Sequence, residues 1–369
     1  DLPVEIVGGE TRDGSIPRAA WKGCTSKAAE SELAMMPMGA TLHTGDMPMA
    51  DIVTYAQTAE ALGFDGFWLT EESGKEAFAV LAVLAQQTRR IALCTGIINF
   101  YSRSPTLIAM GASTIDRLSG GRMRLGLGSG GIGFMQRGHG VAVEEPLERA
   151  REYVAIIRRL VSGERLTHEG RWFRPRNFRL REAPFRKDLE IYLAALNPRM
   201  TRLAAEIADG FIANCVTEEY LAELREQIQI GAAQGGRDPA AVKILTLTMT
   251  CVDPDNAEAR LAMKKGLALY CASPHYHHIF GLSGFRAEAE RIKAIWDAGD
   301  FDGAARAMSD GMVEAFTVTG GRDHCRRRMR LYLENGVYPV IYPVPRHGRV
   351  LEDMQAALRL AADYAADAT

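Results

Sequence analysis

The densest cluster of residues able to hold an anion is Gly126-Leu127-Gly128-Ser129-Gly130-Gly131, directly after an apolar run. Consecutive glycines after a strand let backbone N–H groups come close to a phosphate or a ring carbonyl. The string matches G-x-G-x-x-G, but a dinucleotide fold requires a helix to open directly after the glycines. Ile132-Gly133-Phe134 predicts a loop, with no helix before Pro146, so that reading is set aside. A second candidate is Ala194-Ala195-Leu196-Asn197-Pro198-Arg199-Met200. Asn197 is a good N-cap and Pro198 fits the first helical position. The N–H groups behind them offer partial positive charge to a phosphate, with Arg199 beside them. Each segment also has a plain reading, as a flexible loop or a capped helix. Thr95-Gly96-Ile97-Ile98-Asn99 ends another run, where a glycine permits close approach of a ligand or merely close packing. Leu69-Thr70-Glu71-Glu72-Ser73 ends a fourth, and its adjacent carboxylates are candidates for acid/base work. His275, His277 and His278 lie in a linker with no Cys, Asp or Glu close by, and H-E-x-x-H and C-x-x-C are absent, so no metal is expected. No G-x-S-x-G is present either.

These segments need a scaffold that gathers strand ends. Strand and helix signals alternate from residue 33 onward. Predicted strands cover 33–38, 64–70, 91–98, 122–128, 189–196, 211–215, 242–252 and 337–343. Predicted helices cover 50–62, 77–87, 105–119, 147–160, 198–208, 218–233, 322–335 and 351–366. Two stretches break the rhythm. Residues 162–187 hold a hairpin turn at His168-Glu169-Gly170-Arg171, and 256–314 form a long helical region broken at Ser273-Pro274 and Gly281–Gly284. Residues 1–30 read as an N-terminal extension. Eight βα units with insertions favour a closed (β/α)8 barrel over a doubly wound sheet, one barrel spanning 31–369. Sites then belong at the carboxyl ends of the strands, where all four candidate segments fall.

Composition narrows the function. With 47% hydrophobic and 24% charged residues the chain can bury a large core. A net charge of −2 gives no field to recruit nucleic acid or an anionic membrane. No apolar run is long enough to span a bilayer, and Asp1–Glu10 does not read as a signal peptide. Six scattered cysteines predict reduced, mostly buried thiols and a cytoplasmic protein. The run Arg326-Arg327-Arg328 predicts a solvated helix face.

Read together, the segments resemble the bacterial luciferase-like superfamily, and most closely its deazaflavin branch of methylenetetrahydromethanopterin reductases. The resemblance rests on Asp46-Met-Pro-Met-Ala-Asp-Ile-Val-Thr-Tyr-Ala, Leu62-Gly-Phe-Asp-Gly-Phe-Trp-Leu-Thr, Arg103-Ser-Pro, Leu118-Ser-Gly-Gly-Arg, Leu125-Gly-Leu-Gly-Ser-Gly, and Ile191 through Met200 to Ala208-Asp-Gly. It covers roughly residues 33 to 220. It implies a non-proline cis peptide at Gly96-Ile97 under a tricyclic ring, with Ile98 and Asn99 beside it. It also implies that Gly128, Ser129, Gly130 and Gly131, with Ala195, Leu196, Asn197, Pro198, Arg199 and Met200, hold the phosphate-bearing tail. Two positions depart from the pattern: Gly131 stands where deazaflavin relatives often have an acid, and Glu72 where many members have His. The expected proton donor is therefore Glu72, its pKa raised by partial burial, with Glu71 beside it and His43 as a weaker candidate.

The resemblance implies an F420-dependent oxidoreductase that moves hydride to or from a small organic substrate. An FMN-dependent monooxygenase fed by a separate reductase is the alternative, and a non-catalytic cofactor-binding barrel or partner subunit the third. It further implies a homodimer.

Overall fold

Runs such as Phe64–Leu69 and Gly210–Asn214 are apolar on both faces, which suits strands covered by helices outside and side chains inside. The computed structural model describes residues 36–366 other than 252, 254–256 and 347. The expected extension at 1–30 lies outside the described residues. Nine strands form the sheet: β1 (Met36–Leu42), β2 (Phe64–Leu69), β3 (Ala92–Thr95), β4 (Ile98–Asn99), β5 (Met123–Gly128), β6 (Ile191–Ala194), β7 (Gly210–Asn214), β8 (Lys243–Cys251) and β9 (Val337–Val344). All pair in parallel. β1 joins β2 on one side and β9 on the other, and β3 joins β5, so the sheet closes on itself. β3 and β4 are two parts of one stave, giving the eight staves of a (β/α)8 barrel.

The expected continuous strand at 91–98 is thus broken. The Gly96-Ile97 peptide is cis, and beyond it Ile98 and Asn99 pair with Leu127 and Gly128 of β5. A larger correction concerns the glycine loop. A short helix, Ile132–Gly138, opens directly after Gly131, where the sequence predicts a loop. Met135 explains it: its side chain is fully buried and drives two turns onto the barrel despite the flanking glycines. The ground for setting the dinucleotide fold aside therefore fails locally. The closed barrel excludes that fold instead.

Local signals set the helices that matter for the mouth. Ser104 caps the helix Pro105–Ser119 by accepting the Leu107 N–H, and Gly120 ends it in the left-handed region. In the helix Met49–Ala61 the buried residues are Ile52, Tyr55, Ala56 and Ala59, the stripe expected from helical spacing. The insertion at 162–187 has one antiparallel bridge, Leu166 to Phe178. Its tip lies at Gly170–Phe173, two residues later than expected, because Glu152 accepts the N–H groups of Arg171, Trp172 and Phe173. The insertion after β8 folds as five helices, Ala257–Cys271, Pro274–Leu282, Arg286–Asp297, Phe301–Arg306 and Asp310–Phe316. The basic run is only partly a solvated face: Arg328 donates to the Val216 carbonyl and the Tyr332 hydroxyl, tying its helix to the end of β7.

Candidate functional site

The carboxyl ends of the strands bring most of the predicted residues to one mouth. His43 follows β1, and Thr70, Glu71 and Glu72 follow β2. His43 Nδ1 lies 3.2 Å from Thr70 Oγ1 and 3.2 Å from Glu72 Oε2. Thr70 has a single hydroxyl proton and gives it to the Leu42 carbonyl, 2.9 Å away. It must therefore accept from His43, which puts a proton on Nδ1. Nε2 is then the imidazole atom left to take up or deliver a proton. The Tyr342 ring packs edge-on against the imidazole at 4.9 Å and fixes its plane.

This geometry corrects the expectation for Glu72. Its pKa is lowered, not raised, because the His43 hydrogen bond outweighs desolvation, and its side chain is 60% exposed. Glu72 is ionised and orients His43. Glu71 differs from its neighbour: its side chain is 9% exposed and takes a bidentate pair from Arg103 at 2.6 and 2.8 Å. It also accepts the Ala77 N–H at the start of the next helix, and Arg103 continues to Glu76 at 2.6 Å. Both oxygens of Glu71 are engaged in holding the loop.

Across the mouth, Gly96 leads by its cis bond to Ile97, whose side chain packs under the glycine loop. A Cβ added to Gly128 would stand 2.9 Å from the Ala194 Cβ and 3.0 Å from the Ile97 Cδ1, so only glycine lets these strand ends meet. Gly130 sits at φ +70, which glycine adopts without strain. Ser129 is half-buried and Gly131 exposed, its residue serving as N-cap of the short helix. Asn99 is buried, and its Oδ1 accepts the Tyr101 and Ser102 N–H groups, so that oxygen shapes the loop. Just past β6, Ala195 is buried and its N–H donates to the Ile212 carbonyl, and Leu196 is half-buried. Asn197 caps the helix Pro198–Ile207 through the Met200 N–H at 3.1 Å; Met200 is buried and Arg199 exposed.

Sequence reasoning missed the aromatic side of the mouth. Tyr270 and Tyr276, from the insertion after β8, stack at 4.7 Å, and the buried Asn214 at the end of β7 donates to the Tyr276 hydroxyl at 3.1 Å. Burial, with Tyr270 and Glu72 nearby, pushes the Tyr342 hydroxyl up, and burial does the same for Tyr270, so both remain protonated donors. A polar residue closing the apolar run Phe211-Ile-Ala-Asn214 was the available signal. Nothing marked the tyrosines, because their helices belong to an insertion without a pattern. The three histidines of that insertion do not converge: His277 meets the Cys271 carbonyl at 2.8 Å and His278 the Glu223 carboxylate at 2.8 Å.

Residues 33–338 match the model of the luciferase-like monooxygenase family. The 5,10-methylenetetrahydromethanopterin reductase of Archaeoglobus fulgidus is 32% identical over 81% of this chain and 91% of its own. The coenzyme F420-dependent tetrahydromethanopterin reductase of Methanopyrus kandleri superposes with a TM-score of 0.78 at 24% identity, covering 88% of this chain and 98% of that one. The oxygenating constituent of 3,6-diketocamphane monooxygenase from Pseudomonas putida, in complex with FMN, superposes with a TM-score of 0.64 at 18% identity, covering 91% and 99%.

Proposed function

The chain belongs to the luciferase-like monooxygenase family, and from that premise we propose that it is an F420-dependent oxidoreductase acting on a small organic substrate. The observation that carries this reading is the cradle across the mouth. Gly128 and Gly130 bring the loop backbone against Ala194, Ile97 and Asn99 where no Cβ would fit, and beside them the helix at Pro198 opens toward the mouth with its positive N-terminus and the exposed Arg199. Such a site fits an anionic tail. Ser129, Gly130, Gly131 and residues 197–200 would hold that tail, and Gly96, Ile97, Ile98 and Asn99 would support the ring. The deazaflavin supplies hydride donation or acceptance when bound.

The chain's own residues orient the substrate and move a proton. His43 Nε2 is the acid/base atom of this reading. Thr70 holds the ring in the tautomer that frees Nε2, and Glu72, beside the same Nδ1, stabilises the ring when protonated, as a carboxylate behind a histidine does. Glu71 is a positioning residue. Tyr270, Tyr276 and Tyr342 exclude water on the substrate side and offer hydroxyl donors. The methylenetetrahydromethanopterin reductase relative supports a hydride reaction on a small organic molecule.

A second reading, an FMN-dependent monooxygenase fed by a separate reductase, is favoured by the FMN-bound barrel of the same fold. We further propose a homodimer through the helices Ala77–Gln87 and Pro105–Ser119, whose outer faces expose Val83, Leu107, Met110 and Leu118. Among the described residues no helix is long and apolar enough to cross a membrane.

The test is a fluorescence titration with oxidised F420 and, in parallel, FMN. Micromolar binding of F420 with weak binding of FMN supports the reading. Preference for FMN moves the protein to the monooxygenases, and binding of neither sinks both.

A further inference from the structure

The aromatic side of the mouth obeys a hydrogen-bond count that fixes the direction of one more proton. Asn214 ends β7 and is buried. The Cys215 N–H can only donate, and it lies 2.9 Å from one side-chain atom of Asn214, so that atom is the amide oxygen and Nδ2 faces the other way. Nδ2 lies 3.1 Å from the Tyr276 hydroxyl. An amide nitrogen only donates, so the phenol oxygen accepts, and its own proton points away from Asn214. Among the described residues no acceptor takes that proton.

The phenol is held from several sides. Tyr270 stacks on the Tyr276 ring at 4.7 Å, and Phe280 follows at 6.2 Å. The helix Pro274–Leu282 carries Tyr276, and His278 ties it to Glu223 at 2.8 Å while Ser283 meets Thr217 at 2.7 Å. Cys215 sits at φ +53, which a residue other than glycine keeps where its surroundings hold it, and the Asn214 bond is part of that hold. Tyr270, Tyr276 and Tyr342 are each partly exposed, so this side is open to a ligand. Desolvation raises the Tyr276 hydroxyl well above its ordinary range, which keeps it a neutral donor. We propose that Tyr276 is a substrate-binding residue that donates to a neutral, carbonyl-type oxygen, and that Asn214 is the positioning residue that aims it. This rests on the reading that the substrate enters the mouth beside His43. A donor already fixed in direction loses little freedom when the acceptor arrives. Ionised Glu72, near enough to act on Tyr270, disfavours an anion in that place.

The probe is para-dimethylaminoacetophenone, whose absorption moves to the red when its carbonyl oxygen accepts a hydrogen bond. It is titrated into the full chain without F420 or FMN, so the outcome is separate from that of the cofactor titration. The expected result is a saturable, one-to-one red shift. Tyr276→Phe keeps the stacked ring, abolishes the shift and weakens binding by about fivefold, the worth of one hydrogen bond. Asn214→Leu weakens binding by a similar factor in the parent and has no effect in the Tyr276→Phe background, because it acts through that hydroxyl alone. An asparagine that only supported the fold would weaken both backgrounds alike. Three results overturn the proposal: no saturable shift, a shift that survives Tyr276→Phe, or equal losses from Asn214→Leu in the two backgrounds. Should Asn214→Leu fail to fold, Tyr276→Phe still decides whether this phenol is the donor.

Discussion

Adjacent glutamates with the same chemistry are predicted to fail in opposite ways. Glu71→Gln removes one charge from a bidentate pair whose partners are 9% and 15% exposed. Breaking a buried pair by removing one partner typically costs about 3–5 kcal/mol, because the other charge stays desolvated. Here Arg103 keeps Glu76 at 2.6 Å, and glutamine keeps one oxygen for the Ala77 N–H, so we take about 2–3 kcal/mol. With a urea slope of about 3 kcal/mol per molar, the unfolding midpoint falls by about 1 M. Glu72→Gln, on an exposed side chain, changes stability by less than about 0.5 kcal/mol. It instead removes the charge that stabilises His43 when protonated, and slows turnover by about 100-fold with cofactor affinity unchanged. Urea titrations followed by circular dichroism, paired with single-turnover kinetics, separate the two effects. A Glu71→Gln variant as stable as the parent but slow in turnover would refute the assignment and make Glu71 the acid/base residue.

Other expectations follow from the same geometry. Ser129→Asp puts a carboxylate where the anionic tail would lie. At about 4 Å and an effective dielectric near 20 the repulsion is up to about 4 kcal/mol, so cofactor affinity drops at least tenfold in a fluorescence titration. Unchanged affinity removes the glycine loop from the site. Asp353 is buried and bound by Arg346 at 2.7 and 2.8 Å, and this hydrogen bonding holds its carboxyl below the ordinary range. A depressed carboxyl stabilises the fold above its unfolded pKa, about 3.9, and the benefit is lost as the pH falls through the lower folded value. Calorimetry should therefore show the parent's advantage over Asp353→Asn constant from pH 7 to about 5 and shrinking only in strong acid; an advantage lost near neutrality contradicts the pairing. Finally, Cys94, Cys215, Cys251, Cys271 and Cys325 are all buried, and burial pushes each described thiol with a resolved shift upward, Cys271 to about 12. With Ellman's reagent the native protein should release at most one equivalent at pH 8 and six after unfolding; early reaction of two or more contradicts the packing.

Much of the barrel was legible because its signals are local. Ser104-Pro105, Asn197-Pro198 and Gly120 fix helix ends through caps and backbone freedom, and these matched the structure within a residue or two. The strand ends located the mouth. What failed was either tertiary or short. The helix after Gly131 owes its existence to one buried methionine, which no local propensity announces. The stave at residues 91–98 looked continuous because its apolar pattern continues across Gly96-Ile97.

The chemistry of the mouth shows the same boundary at the level of single atoms. A sequence can place Glu71 and Glu72 at a strand end, but their side chains leave the chain in different directions. One turns back to Arg103, thirty-two residues away, and the other reaches His43 on the neighbouring stave. Ranking Glu72 first and His43 last assumed that burial would govern the carboxyl. The Thr70 hydroxyl decides otherwise: by spending its proton on the Leu42 carbonyl, it fixes where the imidazole proton must sit. Glu72 stands where the resemblance leads one to expect a histidine, yet an imidazole, that of His43, reaches the same loop from the end of the first strand. In the proposed reading the departure at Glu72 does not count against acid/base chemistry at this mouth, because the carboxylate lies 3.2 Å from the imidazole and the two would act as one unit through Nε2.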